Sequence, residues 1–189
     1  MSTSIRAAAA ATILIVPVAL ELVWSPFGDH TPGLEIFALS QIVGWLLLLS
    51  VCREVAVPPR RSARAGRLSV LIGCVLQMTF GLGYALTSFD GEPLEAAFAA
   101  FLLGFLALFV GGLMWGITLV KTATGRTAGW GLVATAVLGL LAMLFGMDPW
   151  HDVFLLSSYA AWTVVGLGAS PSPAIDPVGD SGESVHASR

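Results

Sequence analysis

Six long apolar runs constrain this chain more than any other feature. They fall at about 7–24, 33–51, 68–86, 94–120, 129–146 and 151–168, and each carries at most one acid and no base. The hydrocarbon of a bilayer is about 30 Å thick, which a helix rising 1.5 Å per residue crosses in roughly 20 residues. Unpaired backbone amides and carbonyls are costly in lipid, and a helix pairs its own. A β-barrel would need strands of about ten residues alternating apolar with polar. Runs such as AAFAAFLLGFLALFVGGLMWG do not alternate. The reading is an all-α integral membrane protein with six transmembrane helices in three helical hairpins.

Composition agrees. Of the 189 residues, 56% are apolar and 11% charged, against about 25% charged in a soluble domain. The net charge is -3 and the bases form no stripe, so the expected surroundings are a lipid bilayer and nucleic acid is not an expected partner. Residues 1–168 read as one transmembrane domain. Residues 169–189, rich in Pro, Ser, Gly and Asp, read as a disordered cytoplasmic tail.

The connections alternate in character. WSPFGDHTPG, TSFDGEP and GMDP are turn-rich and acidic, whereas REVAVPPRRSARAGR and KTATGRTA are basic. Short loops rich in Lys and Arg stay in the cytoplasm. Six spans starting inside put Arg6, Arg53, Arg60, Arg61, Arg64, Arg67, Lys121, Arg126 and Arg189 on that side, the whole inventory of bases. Both termini are therefore expected in the cytoplasm, with the chain in the cell membrane. Trp24, Tyr84, Trp115, Trp130 and Trp150 fall near span ends, as an aromatic belt would. Trp45 does not.

A shift of 60 residues lays Leu34-Glu35 on Leu94-Glu95, and a shift of 117 lays Glu35 on Asp152 and Trp45 on Trp162. This suggests a threefold hairpin repeat, a symmetry some transporters use.

Several side chains are candidates for function. Glu35, Glu95 and Asp152 each follow a proline at the start of a span. There an acid is favoured by the helix dipole, and three converging acids would also draw cations to a pore mouth. His30 and His151 adjoin Asp29 and Asp152, pairs able to sense mild acid, in which case neutralising both would remove a pH response. Gln41 and Gln77 fall near mid-depth of adjacent antiparallel spans, either as interhelical glue or as the polar lining of a solute path. Glu21 lies near the outer end of the first span, shallow enough to reach water yet a candidate proton or cation site.

Gly73, Gln77 and Gly81 repeat every four residues on one span, and Gly112 and Gly116 form a GxxxG on the next. Both are close-packing patterns, directed at a neighbouring span or at a second copy in a homo-oligomer. Cys52 and Cys74 read as packing residues.

No metal-site spacing, HExxH, phosphate loop or other cofactor motif is present in the sequence. Ser157 and Ser158, near His151, read as serines bonded to preceding carbonyls. The sequence therefore leans away from an enzyme and towards a channel or carrier for a small neutral or weakly acidic solute or protons. The alternative is a non-transporting scaffold or envelope-maintenance protein packing against a partner.

Overall fold

The computed structural model describes residues 2–24, 34–87, 95–145 and 149–169, with the side chains of 21–24, 34–35, 87 and 149 left out. Among these residues there are six helices and no strand: α1 (Thr3–Trp24), α2 (Leu34–Glu54), α3 (Arg61–Thr87), α4 (Glu95–Val120), α5 (Arg126–Phe145) and α6 (Pro149–Ala169). All six are long and apolar enough to cross a membrane.

The start of α3 departs from expectation. Arg61, Arg64 and Arg67 belong to its first two turns, not to a loop. Pro58 and Pro59 end the preceding extended stretch, and the amide of Arg64 then bonds the Arg60 carbonyl at 3.2 Å. Nothing breaks the helix after that point. An apolar run marks where lipid begins, whereas the helix starts where backbone pairing begins. The turn before α5 is also tighter than the sequence suggested. The Thr122 hydroxyl accepts from the Gly125 amide at 3.2 Å, and Gly125 offers its carbonyl to Gly129.

Each helix packs on its neighbours in sequence, and α1 closes on α6, giving a ring with one crossing contact between α2 and α6. The pairings run antiparallel: Gly66 of α3 meets Gly111 and Trp115 of α4, and Gly73 meets Gly104 and Leu108. Every described base therefore lies at one end of the bundle, while Glu95 and Asp152 stand in the first turns of α4 and α6 at the other.

Small residues set where the helices close on one another, with larger side chains such as Phe105, Leu108, Phe109 and Trp115 of α4 buried among them. A helix that is apolar all round cannot sort itself by hydrophobicity, and in lipid the gain comes from close packing of small residues. Along α4, Ala97, Ala100, Gly104, Gly111, Gly112 and Gly116 are buried, whereas Leu103, Leu106, Val110 and Ile117 are exposed. That bare apolar exterior would be a liability in water and is what a lipid-facing wall requires.

Inside, one core runs from Ala7, Ala10 and Leu14 of α1 through Trp45 and Leu48 of α2 to Trp115, Leu132 and Trp162. Trp115 overturns its expected belt position. It is fully buried and turns inward, donating its indole N–H to the Ala56 carbonyl at 3.1 Å. Trp130 and Trp150, each 56% exposed, do face outward.

Candidate functional site

Gln41 and Gln77 are the largest fully buried polar side chains among the described residues, at 2% and 0% exposure. Neither faces lipid. Gln41 accepts the indole N–H of Trp45 at 2.9 Å, one turn on along α2. An indole nitrogen can only donate, so the Gln41 atom it meets is the amide oxygen. Gln77 donates its amide nitrogen to the Phe101 carbonyl of α4 at 3.1 Å. A carbonyl can only accept, which fixes that orientation as well.

The two amides thus take different roles. Gln77 bonds across helices, as glue should, while Gln41 bonds within its own helix. They are also staggered: Gln41 packs on Gly81, one turn beyond Gln77 on α3.

Each glutamine keeps one atom spare. Gln41 Nε2 and Gln77 Oε1 are buried and make no hydrogen bond, and the same is true of Trp162 Nε1 on α6. The Tyr159 hydroxyl, also on α6, lies beside the Gln41 amide. The rings of Trp45, Tyr159 and Trp162 close this polar layer edge to face, with centroids 6.1 Å and 6.5 Å from Trp45 and interplanar angles of 76° and 88°. An unpaired polar group in low dielectric costs about 1–3 kcal/mol. Three helices thus each carry one buried polar atom left without a partner. Sequence reasoning named the glutamines but missed Tyr159 and Trp162; the spacing of four between Gln41 and Trp45 was the one readable signal.

Of the outer candidates, His151, Glu95 and Asp152 are described with their side chains. His151 is bound by a ring nitrogen, Nδ1, to the Ala142 carbonyl at 2.7 Å. That carbonyl belongs to the last turn of α5, where carbonyls lack helical partners, so His151 caps α5. Its own side chain is thereby held against the neighbouring helix. Glu95 is exposed and Asp152 partly so. His30 lies outside the described residues, as do the side chains of Glu21 and Glu35.

The close-packing glycines are spent within the chain. Gly112 and Gly116 meet α5 at Leu132, Ala136, Gly129 and Val133. Gly73 packs on α4 and Gly81 on α2. A step of four residues overshoots a 3.6-residue turn by about 40°, so eight residues rotate a row by about 80° onto a new neighbour. Ser157 bonds the Val153 carbonyl within α6, as expected, but Ser158 crosses to the Thr135 carbonyl of α5 at 3.0 Å. Cys52 and Cys74 are free and fully buried in the core.

At the basic end, Arg6 of α1 pairs with Glu54 of α2, which also accepts from the Thr3 hydroxyl. A cavity of about 750 Å³ opens beside Glu54, lined by Thr3, Val55 and Ala56 and by the ends of α4, α5 and α6. Among the described residues no group of three His, Cys, Asp or Glu is arranged to hold a metal.

No family model matches the chain, nor does any curated protein or solved structure. Fold and site together define a class: a six-span α-helical integral membrane protein with buried, partly unpaired polar side chains between its helices.

Proposed function

We propose that this chain is a small channel or carrier for a small neutral or weakly acidic solute or protons, in a closed state. Gln41 and Gln77 lie on its path, and Tyr159 and Trp162 complete the lining. One observation carries the reading: Gln41 Nε2, Gln77 Oε1 and Trp162 Nε1 are buried without partners. Structural glue closes its bonds within the protein, whereas a transient binding site leaves donors and acceptors to be met by what passes. A buried water or a solute with both functions would meet them, and two to four partners is what such a guest needs.

Trp45, Trp115, Trp162, Leu48 and Leu132 are all at or below 1% exposure, so passage requires these side chains to move. On this reading the chain sits in the cell membrane. The basic end faces the cytoplasm with both termini, and Glu95, Asp152 and His151 lie at the opposite mouth.

The test is flux in proteoliposomes over a panel of small amides, polyols, monocarboxylic acids and an imposed proton gradient. The expected outcome is flux for one class that falls at least about tenfold in Gln77→Leu, a barrier raised by about 1.4 kcal/mol, with the bundle still folded. No flux across the panel would overturn the reading. It would leave the second one, a non-transporting scaffold that packs against a partner, which the sealed tryptophan layer favours.

A further inference from the structure

We propose that the groove between α2 and α3 holds an acyl chain of an anionic phospholipid, whose phosphate lies against Arg53 and Arg67. The groove, about 280 Å³, is walled by Leu49, Leu71, Ile72, Val75 and Leu76 and ends at Arg53. Ile72 and Val75 are nearly half exposed on the outer wall of the ring. In a bilayer an apolar groove on that wall is filled by lipid tail. What selects the lipid is the charge at its end.

Arg53 lines that end of the groove, and Arg67 reaches the Arg53 backbone. Arg67 stands one turn before Leu71 and donates from Nη2 to the Arg53 carbonyl at 2.8 Å, which holds its cationic head beside the Arg53 backbone. Neither has an acid. Among the described residues the one ion pair is Arg6 with Glu54, and it turns Glu54 towards α1, away from the groove. Among the described residues Arg60, Arg61 and Arg64, at the start of α3, have no acidic partner either. Both kinds of headgroup offer phosphate oxygens to the planar fork of a guanidinium, but a zwitterionic one adds a cation that the arginines repel. Each base near an anionic headgroup contributes about 1 kcal/mol, or about fivefold in affinity.

The proposal needs only the membrane fold and is independent of transport. It is tested by native mass spectrometry of the full chain in detergent, with phosphatidylglycerol or phosphatidylcholine added stepwise. The first phosphatidylglycerol is expected to bind at least about fivefold more tightly than phosphatidylcholine. Arg53→Gln is expected to lose about that factor for phosphatidylglycerol alone. Val75→Phe, which fills the groove from the lipid side, weakens both lipids, and Ile72→Phe serves if Val75→Phe unfolds. Arg60→Gln, outside the groove, leaves the preference intact.

Equal binding of the two lipids overturns the proposal. So does an equal loss from Arg53→Gln and Arg60→Gln, which would mean diffuse attraction. Displacement of the lipid by inorganic phosphate would show a free-anion site instead, and a dimer mass lost in Val75→Phe would show a second copy in the groove.

Discussion

Trp45 holds Gln41: the indole N–H of one meets the amide oxygen of the other at 2.9 Å, one turn apart on α2. The bond leaves Gln41 Nε2 buried without a partner. Trp45→Phe keeps an aromatic ring against Tyr159 and Trp162 but orphans the amide oxygen. The expected cost is about 1–3 kcal/mol of stability, read from denaturant titration in detergent micelles. A change below about 0.5 kcal/mol would show that the amide finds another donor at once.

The seam between α3 and α4 leaves no room for a methyl group. A Cβ on Gly111 would lie 2.6 Å from the Gly66 carbonyl oxygen, and one on Gly66 2.7 Å from the Trp115 nitrogen. Backbone cannot step aside as a side chain can. Gly111→Ala and Gly66→Ala are each expected to cost about 1–3 kcal/mol, as overpacking does. Gly112→Ala makes a useful contrast, because its nearest contacts are 3.2 Å and 3.3 Å and helical alanine recovers about 0.5–1 kcal/mol over glycine. Its expected effect on the melting temperature is small, and equal losses at Gly111 and Gly112 would contradict this account of the seam.

How far the sequence alone reaches is clear at these positions. The six spans, the first-turn acids Glu95 and Asp152 and the closeness of Gly112 and Gly116 to another helix follow from run length and spacing. The inward turn of Trp115 does not, because belt and core tryptophans have the same composition; only the Ala56 carbonyl distinguishes them. The partner of Gly81 was illegible for a geometric reason, since a four-residue row drifts around its helix. The unspent atoms of Gln41, Gln77 and Trp162 were beyond reach altogether: a sequence shows which groups can bond, and only packing shows which are left over.

His151 binds the end of α5 to the start of α6 through the Ala142 carbonyl. Removing it in His151→Leu leaves a last-turn carbonyl unpaired, and the expected loss is about 1 kcal/mol. Hydrogen exchange offers the sharpest reading: the last turn of α5 should exchange faster while α2 and α3 remain protected. Uniform acceleration across the bundle would refute a local capping role.

Orientation can be settled by labelling in intact cells. Cys52 and Cys74 are fully buried, so the native thiols should stay silent to an impermeant maleimide. A cysteine introduced at Ser88, between α3 and α4, is expected to react from outside, whereas one at Thr124, between α4 and α5, should require lysis. Reaction in the reverse order would invert the topology proposed above.

The contact of α1 with α6 also sets an order on biosynthesis. Ala7 seats against Gly166, so α1 waits for α6 to be made before its wall is complete. A nascent chain arrested at Phe145 would leave that strip of α1 against lipid, with half its helical neighbours missing. Faster turnover of the arrested chain than of the finished one is the expected result. Release of α6 then doubles as the checkpoint for α1.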